Sequence, residues 1–314
     1  MRSDNVNAPS TAAVIEALPR RGFAMAMMVI GSITMSFGGL VVRSMDQADA
    51  WHINFYRSLA FIIALFVVLL FQYRGAAFGK VARAGWPGWA GGALLAGAQI
   101  CFLQSLQHTT VANTLFTMSA IPFITALLAW ALLKEKLSGA TLITMVVAAA
   151  GISVMIFEGI GGGSLYGNSM ALIAALSFSG FSVLVRRYRS VDMLPAALLS
   201  GVIISVIAFF VHVDSLAIPM HDILLCFLWG GAMSGLANTL FIFASRHIVA
   251  AELTLFLLLE FSLGPIWVWL FVNEVPTTLT VIGGSLVITA VVVRALFELQ
   301  QNRPTLKRGR PNPM

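Results

Sequence analysis

The sequence predicts an all-α polytopic membrane protein: ten transmembrane helices in two inverted five-helix repeats, with both termini cytoplasmic. Three observations predict it. Of 314 residues, 59% are apolar and only 10% charged, with a mean hydropathy of +0.90, outside the range of soluble domains. The apolar residues fall into ten runs separated by short loops, and the basic residues gather in alternate loops. The net charge of +6 therefore reflects membrane orientation and not nucleic-acid binding.

In chain order the runs predict helices at 23–43, 52–72, 86–107, 111–133, 139–157, 166–188, 193–213, 222–245, 249–272 and 277–297. Arg74-Gly75, Trp86-Pro87-Gly88, Gly161-Gly162-Gly163, Pro195, Pro219 and Pro276 punctuate the connections. Residues 1–22, rich in Asn, Ser, Pro and Ala, read as a disordered cytoplasmic tail, and 298–314 as a basic one that meets anionic headgroups. The run after Arg21 continues at spanning length, so it reads as an uncleaved first helix and not as a signal peptide. Cys101 and Cys226 lie inside apolar runs without partners at ligand spacing, which argues against a disulfide framework or a metal site.

A cytoplasmic N-terminus puts seventeen of the nineteen Lys and Arg residues on the inner side, among them Arg20, Arg83, Lys134, Arg186, Arg246 and Arg294. Arg43 falls outside, and Arg57 lies within the second helix. The reverse topology conflicts with the positive-inside bias.

The ninth helix is the one the others must accommodate. Glu260 stands near its midpoint, where a carboxylate costs at least ~2.5 kcal/mol to insert and so faces the bundle interior or a wet cavity. Pro265 cannot donate to the carbonyl of Phe261, and a freed carbonyl is tolerable only against protein or water. An acid beside a weakened helix points to a solute pathway; an acid protonated or paired with a neighbour, beside a simple packing kink, is the alternative.

The chain also resembles itself at a shift of 139: Gly91-Gly92-Ala93 falls on Gly230-Gly231-Ala232, His108 on His247, Trp130 on Trp269 and Glu135 on Glu274. Ser36-Phe37-Gly38-Gly39 falls on Ser177-Phe178-Ser179-Gly180 at a shift of 141. The expected division is 23–157 and 158–297. Five helices per half is odd, so equivalent helices run in opposite directions, the arrangement that allows alternating access around a midplane site.

The five-plus-five count, the Trp130-Ala131-Leu132-Leu133-Lys134-Glu135-Lys136-Leu137 end of the fourth helix and the Leu259-Glu260…Phe271-Val272-Asn273-Glu274 stretch of the ninth resemble the drug/metabolite transporter superfamily in its EamA-type exporter branch. Tyr56-Arg57 adds to the resemblance, which covers roughly 23–297. The family often has Pro directly after the mid-helix Glu; here Phe261 stands there and Pro265 comes four residues later, displacing the kink. Within the family the chain is most similar to the bacterial aromatic amino-acid exporters. The resemblance implies multi-pass residence in the bacterial inner membrane and export of amino acids, aromatic or other neutral, or similar small metabolites. It implies no cofactor.

The candidate cavity residues are Glu260, Gln99, Asn238, Tyr56, Ser36, Ser182, Thr117 and Trp267, with Arg57 as a countercharge. Gln99 and Asn238 are repeat equivalents whose carboxamides could hold a solute or bond a neighbouring helix. Ser32, Ser36 and Gly39 share one helix face, as do Ser179, Ser182 and Arg186; Thr110 and Thr117 mark a similar stripe. These suit close packing as well as a cavity wall. Trp267, two turns from Glu260, could stack on an aromatic solute, and Arg57 could neutralise a carboxylate or pair with an acid. Gly88…Gly92 and Gly231…Gly235 predict close packing between the halves. Glu135 is expected to pair with Lys134 or Lys136, and Glu274 with a loop.

A secondary transporter is the leading class, with small-molecule substrate and lipid as its partners and monomer and homodimer both open. No Walker A sequence is present to make ATP the direct driver. An intramembrane enzyme would need a constellation such as HExxH, GxSG or a paired-aspartate box, and none occurs. A channel-like facilitator or a non-transporting scaffold is the remaining alternative.

Overall fold

The protein was analysed as a computed structural model that describes residues 11–73, 85–135, 137–162, 164–188, 194–211, 216–237, 240 and 250–301. Within them lie twelve α-helices and no strand: α1 (Thr11–Ser36), α2 (Gly38–Arg43), α3 (Ala50–Tyr73), α4 (Gly85–His108), α5 (Val111–Met118), α6 (Ile121–Leu133), α7 (Gly139–Gly162), α8 (Leu165–Arg187), α9 (Leu194–Val211), α10 (Met220–Phe227), α11 (Ala250–Val272) and α12 (Thr278–Gln301). The chain is an all-α polytopic membrane protein. Eight of its described helical stretches are long and apolar enough to cross a bilayer, and Pro195–Val211 and Phe256–Val272 add shorter apolar helices.

Three of the expected spans are interrupted. A turn at Phe37 separates α1 from α2, and Ser119-Ala120 separates α5 from α6, whose first turn holds Pro122. A proline there has no N–H to waste, so it starts the new helix in place of continuing the old one. After α10 the chain widens into a π-helical turn, Leu228–Met233. α1 also begins at Thr11, well ahead of the expected 23, because 11–18 is rich in Ala, Leu, Val, Ile and Glu, a helix-favouring composition on balance.

The helices pack in matched pairs. α4 lies against α8 and α9; α9 also packs on α3; α1 and α2 pack on α11, α6 on α8, and α7 on α12. The small-residue faces explain the closest approaches. Gly91 and Gly92 meet Ala196 and Leu199 of α9, while Gly231 and Gly235 of the second expected motif meet Ala60 and Ala64 of α3. At the α7–α12 crossing a methyl on Gly151 would lie 2.5 Å from the Gly283 carbonyl oxygen, and the reciprocal distance is 2.6 Å. One buried cluster (Val41, Ile53, Leu103, Leu106, Val111, Trp229 and Val268) fills the end of the bundle that the charge map assigns to the outside. Another, around Phe123, Met155, Leu258 and Val287, backs α11.

Candidate functional site

A cavity of about 400 Å³ lies where α1, α4, the α5–α6 break, α8 and α11 meet. Its polar groups are Glu260 of α11, Gln99 of α4, Ser32 of α1 and Ser119 at the break; Met28, Met35, Phe102, Phe178 and Phe261 supply much of the apolar wall. Glu260 makes no hydrogen bond or ion pair among the described residues. An acid paired with a neighbour, one arm of the expected alternative, is therefore not what these residues display. A carboxylate left unpartnered at membrane depth is costly unless something enters to meet it. The neighbouring groove of about 530 Å³ between α4, α6 and α8 is aliphatic along most of its wall and includes the exposed Leu132 and Leu176, so it reads as a lipid-side crevice.

Gln99 is held from two sides. Its amide oxygen accepts from Arg57 Nη2 at 3.2 Å, and its Nε2 donates to Ser200 Oγ at 3.4 Å. The Arg57 guanidinium lies 4.4 Å from the Trp229 ring centroid, and its Nε has no partner. A side chain at Gly230 would collide with the Arg57 carbonyl oxygen, so the π-turn glycine lets α3 come close enough for this stack. One turn before Arg57, Asn54 is completely buried with neither amide atom paired. Arg57 makes no ion pair among the described residues, so its charge is balanced only by the Gln99 dipole and the Trp229 face.

The remaining sequence candidates divide. The Trp267 indole donates to Ser36 Oγ at 2.8 Å and stacks on Phe37 with centroids 4.7 Å apart, so the two candidates satisfy each other outside the cavity wall. The Tyr56 hydroxyl donates to the Leu216 carbonyl at 2.9 Å, and Ser182 donates to Phe178 of its own helix at 3.0 Å. Thr117 is buried just before the cavity-lining Met118. Asn238 lies outside the described residues. Glu135 forms an ion pair with Arg186, a partner not expected from the sequence, where the left-handed Lys134 ends the helix; Lys136, the other expected partner, lies outside the described residues.

Asp222 carried no expectation, and it is completely buried at the start of α10. Its carboxylate accepts the backbone N–H groups of Asp46, Gln47 and Ala48 at 2.9 to 3.0 Å. Pro219 before it marks a helix start, yet no local spacing shows that the acid caps a loop 175 residues away.

Residues 22–157 match the EamA-like transporter family. That stretch is 136 of the 314 residues, so the match likens the first part of the chain to this family. The family that this stretch resembles is one of membrane transporters, in keeping with the multi-pass helices and the cavity. No curated protein matches the sequence. A crystal structure described only as that of a protein shares the fold at a TM-score of 0.63, with 18% identity over 88% of this chain and 98% of that chain.

Proposed function

We propose that the chain is a secondary transporter exporting amino acids, aromatic or other neutral, or similar small metabolites across the bacterial inner membrane by alternating access. The observation that carries this reading is the unpartnered Glu260 carboxylate on the wall of a cavity bounded by helices from both expected halves. In this reading Glu260 receives the solute's ammonium group or a proton. Gln99, with Arg57 directly behind it, receives the carboxylate. The phenyl and thioether groups of Phe102, Phe178, Phe261, Met28 and Met35 suit an apolar side chain.

Counterflow in proteoliposomes tests it. Vesicles are loaded with unlabelled phenylalanine, tryptophan or threonine and challenged with the labelled solute, for the unmodified chain and for Glu260→Gln. Saturable uptake that depends on internal solute, and that falls with the substitution, is the expected result. Flux without saturation would identify a channel-like facilitator, and no flux from folded protein would leave a scaffold as the better account.

A further inference from the structure

Two ion pairs close opposite ends of the bundle, and the expected repeat relates their acids, while the arginines lie 143 residues apart, two beyond the shift of 141 that aligns their helices. At the outer end Arg43, the last residue of α2, meets Glu274 just beyond α11 at 2.6 Å. At the inner end Arg186, in the last turn of α8, meets Glu135 just beyond α6 at 3.1 Å. Each pair joins the end of one half's first span to the end of the other half's fourth.

The backbone presents both acids in the same way. Lys134 and Asn273, equivalent at the shift of 139, are the only described non-glycine residues with positive φ, at 56° and 57°. The next N–H then reaches back six residues, Glu135 to the Ala129 carbonyl at 3.3 Å and Glu274 to the Val268 carbonyl at 3.2 Å. Ala129 and Val268 are also equivalent at the same shift. One helix-ending device thus aims one acid at one arginine, twice, at opposite ends.

The two pairs differ in what surrounds them. Arg43 also donates to the carbonyls of Leu106 at 2.6 Å and Thr109 at 2.9 Å, and Glu274 accepts the Val111 N–H at 2.6 Å. That ties α2, the α4–α5 turn and α11 into one knot, with side chains only 23% and 17% exposed. Arg186 and Glu135 are 47% and 45% exposed and make no further side-chain bond among the described residues. An isolated, hydrated pair holds little; a networked, half-desolvated one holds a good deal more. The Asp222 cap on 46–48 and the Trp267–Ser36 bond fasten the same outer end.

We propose that these two ion pairs are latches of unequal strength at opposite ends: the networked Arg43–Glu274 pair locks the outer end in the conformation seen here, where the hydrated Arg186–Glu135 pair is made without locking, and Arg186–Glu135 tightens to lock the inner end in the alternate one. The proposal rests on the alternating-access reading above.

Spin-label distances in lipid nanodiscs test it, with Cys101 and Cys226 replaced. Ser44→Cys with Val275→Cys reports on the outer end, and Ser138→Cys with Arg187→Cys on the inner. Arg43→Ala is expected to raise the long-distance outer population by at least about fivefold and to narrow the inner distance distribution together with it. Glu135→Ala is expected to do the reverse. Glu274→Gln keeps an acceptor for Val111 and removes only the charge, so it gives the Arg43→Ala direction even if that variant folds poorly. Unchanged distances, a frayed outer end with no inner closure, or shifts in the same direction from Arg43→Ala and Glu135→Ala would each overturn the latch. If the unmodified chain still counterflows in any of those cases, the carrier reading survives and only the latch falls. Absence of counterflow in the unmodified chain defeats the carrier reading itself.

Discussion

Glu260 and Ser36 both stand on helix faces that a sequence would assign to a cavity, and their surroundings separate them. Ser36 accepts the Trp267 indole and donates to the Ile33 carbonyl at 2.7 Å, so its hydrogen bonds are met within the fold. Glu260 has none among the described residues, and a half-buried acid without partners at membrane depth works against folding. Glu260→Gln is therefore expected to raise the unfolding temperature in detergent while lowering solute affinity by ~10–100-fold, the worth of one charge-assisted hydrogen bond. A substitution that lowers both would mark the carboxylate as structural. Asp222 makes the opposite forecast. Asp222→Ala leaves three loop N–H groups without their carboxylate, a loss of about 3 kcal/mol seen as a lower unfolding temperature.

At the scale of elements, most of the helices could be read from apolar runs and their punctuation, because a bilayer demands length and apolarity before anything else. The interruptions were harder to read. Pro122 announces the break before α6, but nothing in Leu228-Trp229-Gly230-Gly231-Ala232-Met233 distinguishes a π-turn from an α-helix; the close approach of Arg57's backbone to Gly230 shows where that turn is used. Glu260 and Gln99 were legible because a charge or carboxamide at midplane is expensive wherever it stands. The Trp267–Ser36 and Arg186–Glu135 partnerships were not, since each joins helices far apart in sequence. The helix-ending device adds a prediction here. Asn273 tolerates the left-handed conformation, whereas a β-branched residue does not, so Asn273→Val is expected to cost about 1–2 kcal/mol and to swing Glu274 away from Arg43. Asn273→Gly should leave both stability and the outer spin-label distance unchanged.

At the scale of the whole molecule, the reading turns on which end of the bundle faces which compartment. Seventeen of nineteen basic residues favour one answer, and the structure adds its own consistency: Arg43, the one loop cation on the other side, is consumed by Glu274 and two carbonyls in place of meeting solvent. A cation engaged in this way adds little to the charge bias that fixes topology, so the exception does not weaken the rule. Single cysteines at Ser44 and Ser138, both exposed and at opposite ends, decide the matter in intact cells. A membrane-impermeant maleimide is expected to label Ser44→Cys from outside, and Ser138→Cys only after the cells are opened. The reverse pattern would turn the molecule over. The networked Arg43–Glu274 end would then face the cytoplasm, and the two latches would keep their chemistry while exchanging compartments.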